Sequence, residues 1–165
     1  MITNYSVRHC EHITDRPFKT VVDAFEAATG TVENPGFKAA IASAPDAAQF
    51  EARVLEHIGP SGFTRFLTTD HGGWLGHLGL KAKAKMYTIG NPLIAVTMIR
   101  HSVAAGLNVP VRLMIYEDAD GRTRLVYDLP SSLLSVLGNA EVDAAARQLD
   151  AKLIALAEHA TAASA

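Results

Sequence analysis

The segment from His71 to His77 carries the side chains whose types and spacing most directly suggest chemistry. It reads His-Gly-Gly-Trp-Leu-Gly-His, so a histidine stands on either side of Trp74. An imidazole can ligate a metal ion or haem iron, or transfer a proton near neutral pH. The indole can stack on a planar ligand, and the glycines let a ligand approach the backbone closely. The segment therefore predicts a loop that contacts a ligand; the alternative is a loop closed by its own side chains, with Trp74 filling the core.

Three histidines are the candidates for a metal or haem ligand: His71, His77 and His101. The first two lie six residues apart, which is not a standard ligand spacing. His101 follows an apolar helical segment, where an imidazolium also suits the negative end of the helix dipole. Haem or a metal ion is therefore an alternative, and the cofactor stays unassigned. His71 and His77 are also the candidates for the general base of a cofactor-free enzyme, so whether the protein is an enzyme is left open.

A further candidate lies on a strand near the middle of the chain. Arg112 alternates with Met114 and Tyr116, so these three side chains share one face of that strand. The opposite face is aliphatic and is expected to pack under helices, which leaves the Arg112 face free to line a pocket or a subunit contact. Arg112 suits an anionic ligand. It also suits a structural ion pair with Asp128, and the sequence favours that second interpretation.

Together these residues predict one pocket beside the glycine-rich segment. Its expected lining is His71, Trp74, His77, Tyr87, Arg112 and Tyr127. Imidazole, indole and phenol rings with one guanidinium suit a small planar or anionic ligand.

Two other clusters have a structural explanation. In His9-Cys10-Glu11-His12, a strand would place His9 and Glu11 on one face and the other two on the opposite face. No more than two of the four would then meet one ion, which favours polar residues at a strand end. Ser131 and Ser132 lack the surroundings of a nucleophile elbow and are expected to cap a short helix.

Alternating strand-like and helix-like segments are expected to position these side chains. Strands are predicted within 5–13, at 63–69, 81–89, 111–117 and 122–128, and helices at 17–29, 37–44, 46–58, 93–101, 131–137 and 140–160. Asn91 and Asn139 are expected to cap helices, and Asp118-Ala119-Asp120-Gly121 to join two strands as a hairpin. Asn34-Pro35-Gly36 predicts a turn.

The second half of the chain resembles a bacterial family, the domain of unknown function 302. The resemblance is carried by Gly90-Asn91-Pro92, Leu107-x-x-Pro110-Val111-Arg112, the Glu117–Gly121 hairpin, Tyr127-Asp128-x-Pro130, and a closing helix with Leu149, Leu153 and Leu156. It covers residues 86–157 clearly and 5–30 more weakly, while 31–85 resembles a subgroup-specific insertion or helical segment.

The resemblance implies a compact α+β domain that dimerises, and it implies no activity. Many members have a cysteine directly after the proline that precedes the third strand. Val111 stands at that position here. Thiol or metal chemistry proposed for those members is therefore not expected of this chain.

Composition excludes several classes of protein. The chain has 165 residues and a net charge of −2, so one domain is expected and a nucleic-acid partner is not. A single cysteine, Cys10, excludes a disulfide framework. The start of the chain lacks a signal-peptide core, and no apolar run is long enough to span a bilayer, so a cytoplasmic protein without a membrane partner is expected.

The sequence as a whole predicts a single α+β domain. It comprises a small, mainly antiparallel sheet of four to five strands with helices packed on one face, over residues 1–160, followed by a frayed tail at 161–165. Charged residues make up only 19% of the chain, which predicts a homodimer interface. The expected function is binding of a small, planar or anionic ligand near residues 71–77. The alternatives are a haem or metal protein, a cofactor-free enzyme with a histidine base, and a purely structural dimer.

Overall fold

The computed structural model describes residues 1–32 and 37–163. Within them the strands are β1 (His9–Thr14), β2 (Gly30–Thr31), β3 (Thr64–Asp70), β4 (Ala84–Gly90), β5 (Val111–Glu117) and β6 (Thr123–Asp128). The α-helices are α1 (Phe18–Ala28), α2 (Phe37–Ala42), α3 (Ala47–Leu55), α4 (His71–Gly76), α5 (Pro92–Ile99), α6 (Pro130–Leu134) and α7 (Ala140–Thr161). Short 3-10 helices follow α5 at Val103–Leu107 and α6 at Ser135–Leu137. The turn predicted at 34–36 lies outside the described residues.

The strands form one open sheet in the order β1-β6-β5-β4-β3-β2. Every neighbouring pair is antiparallel except β2 and β3, which are parallel. The α+β class is thus confirmed, and the sheet is mixed with six strands rather than four to five. The extra strand is β2, and its two residues are too short to leave a periodic signal in the sequence.

The hydrophobic core lies between one face of β4, β5 and β6 and the apolar sides of α1, α5, α6 and α7. Val111, Leu113 and Ile115 alternate along β5 and are all buried, because successive side chains of a strand point to opposite faces. Helix α7 crosses this layer with an apolar stripe at the spacing of a helix. Asn139 caps it as predicted, since its Oδ1 accepts a hydrogen bond from the Val142 N–H at 2.9 Å.

The opposite face of the same strands is only partly covered. On β5, Arg112 is exposed, and Met114 and Tyr116 are half-buried. This arrangement confirms that the aliphatic face of β5 packs under the helices and that the Arg112 face is left open. We call the second side of the sheet the open face.

Three local predictions were wrong. Residues 71–76 form helix α4 rather than a loop, because the Asp70 carboxylate accepts a hydrogen bond from Gly73 N–H at 2.9 Å and caps a turn that the glycines alone disfavour. Lys81 and Lys83 precede β4 instead of lying within it. Ser131 and Ser132 lie inside α6, where Leu129 occupies the capping position. No α-helix among the described residues is long and apolar enough to cross a membrane.

Candidate functional site

A cavity of about 500 Å³ lies on the open face of the sheet. Its floor is formed by β4, β5, β6 and the start of β1, and its wall by the segment before β5 and by α6. The lining residues are His9, Met86, Thr88, Leu107, Asn108, Pro110, Val111, Arg112, Leu113, Met114, Val126, Tyr127, Asp128 and Leu133. The volume falls within the range of small-molecule sites.

Strand register places the polar side chains of this cavity in one row. His9 is paired with Asp128 across β1 and β6, and Thr88 is paired with Arg112 across β4 and β5. Leu113 is paired with Tyr127 across β5 and β6. In this antiparallel register, Arg112 and Asp128 lie opposite each other at the next position. Since paired residues share a face, the four side chains His9, Asp128, Arg112 and Thr88 cross the open face side by side.

The adjacent row of the open face is apolar on β4, β5 and β6. Met114 is paired with Met86 on one side and with Val126 on the other. The wall adds Leu107, Pro110 and Leu133, with the Asn108 amide among them. The cavity therefore combines an apolar floor with one polar edge, a common arrangement in ligand pockets.

The His9–Asp128 pair is a hydrogen-bonded dyad. His9 Nδ1–H donates to Asp128 Oδ1 over 2.7 Å, since an ionised carboxylate can only accept. Both side chains stay accessible, at 59% and 45% exposed. With Nδ1 holding the proton, Nε2 of a neutral ring carries a lone pair on its other side.

The predicted ion pair between Arg112 and Asp128 was wrong, because Asp128 bonds His9 instead. Arg112 is exposed at the cavity edge, and it forms no ion pair with any residue in the described parts of the chain. A guanidinium presents a planar fork of donors that matches a carboxylate or a phosphate. The cavity thus holds a guanidinium that makes no direct ion pair among the described residues, although the Asp128 carboxylate lies on the neighbouring strand.

His71 and Trp74 meet on α4, away from this cavity. Trp74 Nε1–H donates to His71 Nδ1 at 3.1 Å, and the two rings meet edge to face with centroids 6.0 Å apart. Trp74 is 49% exposed, so it does not fill the core. His77 is exposed at the end of the same helix.

Tyr87 belongs to the other side of the sheet. It is fully buried among the helices, packs against Phe25, and its hydroxyl donates to Glu26 Oε1 at 2.7 Å. Burial, reinforced by the Glu26 carboxylate, raises the pKa of Tyr87 far above its usual range, so the phenol stays protonated. Lys85 and Arg65 also approach Glu26.

Tyr127 also faces the helices. Its hydroxyl lies 3.1 Å from His12 Nε2, and the two rings stack. Burial raises the pKa of Tyr127, with a smaller contribution from Cys10. Burial lowers the pKa of His12, against the opposing pull of the Glu158 carboxylate. Tyr127 also lines the open-face cavity. Its ring and hydroxyl contact His12 in a separate cluster.

The six residues predicted to line one pocket therefore occupy three places. His71, Trp74 and His77 lie on α4, the rings of Tyr87 and Tyr127 lie on the helix-covered face, and Arg112 lies on the open face. Of the six, Arg112 and Tyr127 line the open-face cavity. The described residues also contain no group of three or more histidine, cysteine, aspartate or glutamate side chains placed to hold a metal ion. His71, His77 and His101 are thus not gathered into one ligand set. Ligation of haem or a metal ion by one or two of them stays a prediction.

Sequence reasoning identified Arg112, placed Met114 on the same face and put Asp128 near it, but missed His9 and Met86 as neighbours. The alternation of His9-Cys10-Glu11-His12 was read correctly, because His9 and Glu11 face outward while Cys10 and His12 face the helices. What the sequence did not reveal was the partner strand. His9 and Asp128 are 119 residues apart and become neighbours only through the pairing of β1 with β6.

Comparison with known proteins assigns the chain to a family. The family model described as "Domain of unknown function DUF302" matches residues 39–160, about three quarters of the chain. The chain belongs to this family, as its sequence resemblance indicated.

Solved structures share this fold, as one example shows. It is the crystal structure of an uncharacterized conserved DUF302 protein from Bacillus stearothermophilus, which aligns with a TM-score of 0.66 and 14% identity. The alignment covers 92% of this chain and 97% of that chain. No curated protein matches the sequence.

Proposed function

We propose that this protein binds a small anionic molecule with a flat apolar body on the open face of its sheet. The observation that carries the proposal is Arg112, which stands at the edge of a cavity of about 500 Å³ without an ion-pair partner among the described residues. The proposal keeps the ligand class expected from the sequence and moves the binding site away from residues 71–77.

The two rows of the open face suggest how such a ligand would lie. Its carboxylate or phosphate would accept hydrogen bonds from Arg112, and Thr88 beside it offers a hydroxyl donor. The apolar body would cover Met86, Met114 and Val126. Methionine suits this role because its flexible, polarizable side chain adapts to ligands of different shape.

Calorimetric titration with a panel of small aromatic anions tests the proposal. Benzoate, phenyl phosphate and phenylpyruvate each combine a flat ring with one anionic group. The expected result is saturable binding of at least one of them to the wild-type protein. Arg112→Ala is expected to weaken that binding at least about tenfold, because a hydrogen bond to a charged group contributes about 1.5 kcal/mol or more.

Arg100→Ala is the matched control, since Arg100 is also exposed but lies after α5 and outside the cavity lining. It is expected to leave the affinity unchanged. Equal weakening by both variants would indicate a general effect of charge rather than a site. The absence of binding for the whole panel would contradict the proposal.

A further inference from the structure

We propose that the His9–Asp128 dyad makes the open-face cavity a catalytic site for proton transfer at a carbon atom next to a carbonyl. This inference rests on the proposed function and names its substrate class, which is a 2-oxo carboxylate. The carboxylate would bind Arg112, and His9 would act as the general base.

The first support is the geometry of the dyad. Asp128 Oδ1 accepts from His9 Nδ1 at 2.7 Å, which fixes the proton on Nδ1 and the ring orientation. The lone pair on Nε2 then remains available at a residue that lines the cavity. A carboxylate held against the far nitrogen also stabilises the imidazolium that forms when Nε2 takes a proton.

The second support is the position of the dyad relative to Arg112. All three residues belong to one row of the open face, on β1, β6 and β5. A carboxylate held by Arg112 would place the rest of a small molecule over the apolar row. The carbon atoms next to its carbonyl then lie within the cavity that His9 borders.

The third support is what the cavity lining contains. Its residues, all within the described part of the chain, include no serine or cysteine that could act as a covalent nucleophile. They do include Asn108, Thr88 and Arg112, which can donate hydrogen bonds to a developing enolate oxygen. A base, a cation and neutral donors are the groups that proton transfer at carbon requires.

The step balances without any other reactant. The C3–H bond of the 2-oxo acid breaks and its proton goes to His9 Nε2. The electron pair of that bond forms the C2–C3 double bond, and the carbonyl π pair moves to the oxygen. If the proton on Nε2 is first replaced by one from solvent, its transfer to C3 completes an exchange, and delivery of a proton to the enolate oxygen completes a keto–enol tautomerisation. His9 is therefore the catalytic residue, and Asp128 is a positioning residue.

Deuterium exchange at C3 of phenylpyruvate, followed by proton NMR in D2O, tests the inference. The wild-type protein is expected to accelerate exchange above the buffer rate. His9→Gln is expected to lower the protein-catalysed rate at least about 100-fold, the usual contribution of a general base. His159→Ala serves as the control, because His159 is exposed on α7 and does not line this cavity.

The variant Asp128→Asn tests whether Asp128 positions the His9 ring for catalysis or has only a structural role. The exchange rate is expected to fall at least about tenfold, while the calorimetric Kd for phenylpyruvate does not increase, because the change removes a negative charge beside Arg112. Nitrogen-15 NMR of the His9 ring is expected to show an Nδ1–H tautomer in the wild type and a mixture of tautomers in the variant. An unchanged tautomer together with an unchanged rate would remove Asp128 from the mechanism.

The remaining outcomes distinguish failure of the catalytic inference from failure of the proposed binding function. Binding of phenylpyruvate without faster exchange would overturn the catalytic inference and leave the binding function in place. Exchange that persists in His9→Gln would also overturn it. If benzoate or phenyl phosphate binds through Arg112 but phenylpyruvate does not, the substrate class is wrong and the inference falls. If none of the three binds, both proposals fall.

Discussion

Tyr87 lies on the helix-covered face of the sheet, where its hydroxyl donates to the half-exposed carboxylate of Glu26. Tyr87→Phe removes this hydrogen bond and leaves the ring packed against Phe25. We expect the free energy of unfolding to fall by about 1 to 2 kcal/mol in urea denaturation. Ligand affinity is expected to stay unchanged, because Arg112 faces the other side of the sheet.

Tyr116→Phe is the comparison variant for this prediction, since Tyr116 lies on the open face and is only half-buried. It is expected to change the stability by less than about 0.5 kcal/mol. A loss of ligand binding in Tyr87→Phe would mean that the site includes Tyr87, as the sequence predicted.

His12 links stability to pH through its half-buried position beside Tyr127. Its pKa in the folded protein lies below the ordinary value of about 6.5. In the interval between the two values the unfolded chain binds more protons, so the free energy of unfolding falls as the pH falls through that interval. This destabilisation is absent above about pH 7, where His12 is neutral in both the folded and the unfolded state.

The variant His12→Gln is expected to lose this part of the pH dependence. Urea denaturation between pH 7 and pH 5 measures it as the difference between wild type and variant. His77→Gln, at an exposed site after α4, is the control and should follow the wild type. If the free energy of unfolding depends on pH in the same way for wild type and His12→Gln, protonation of His12 does not destabilise the folded protein.

At the scale of elements, the short strand β2 depends on close contact between two glycines and the backbone around them. A Cβ at Gly30 would lie 1.8 Å from the carbonyl oxygen of His57, and one at Gly59 would lie 2.3 Å from the Gly30 nitrogen. Backbone atoms on both sides cannot move aside as a flexible side chain can. This contact ties the end of α1 to the segment that leads into β3.

Gly30→Ala is therefore expected to lower the free energy of unfolding by more than about 2 kcal/mol, or to prevent folding. Gly76→Ala is the matched control, because no heavy atom lies within 4 Å of its added methyl group. It lies at the end of α4 and is expected to be neutral or slightly stabilising. Thermal unfolding monitored by circular dichroism distinguishes the two variants. Equal melting temperatures would contradict the close contact.

Features that depend on residues close together in the chain could be predicted from the sequence, whereas features that depend on distant residues could not. The caps at Asn91 and Asn139 and the hairpin after β5 depend on residues two to four positions apart, and all three were predicted. The approach of Gly30 to His57 and the pairing of His9 with Asp128 depend on residues far apart in the chain. No local periodicity records such contacts, so the sequence placed the candidate pocket beside its own glycine-rich segment instead.

At the scale of the whole molecule, the open face raises the question of assembly. The sequence predicts a homodimer, and the proposed ligand site requires that the dimer leave this face accessible. Met114→Glu places a charge in the apolar row of the cavity. We expect it to weaken ligand binding and to leave the mass found by analytical ultracentrifugation unchanged.

Arg100→Glu is the control for the added negative charge outside the cavity, and it should change neither ligand affinity nor mass. If Met114→Glu converts a dimer to a monomer, the open face is a subunit interface, and the cavity is closed in the assembled protein. That result would favour the structural-dimer alternative over a ligand-binding function.

A small anion is expected to bind at Arg112 on the open face. The most direct measurement is a titration of labelled protein with phenylpyruvate, followed by the backbone amide resonances in two-dimensional NMR. The largest shifts are expected to cluster in residues 107–114 and 126–128, and Arg112→Ala is expected to move the titration to at least about tenfold higher phenylpyruvate concentration. Shifts confined to residues 71–80, unaffected by Arg112→Ala, would rule out binding at Arg112 and return the site to the segment around Trp74.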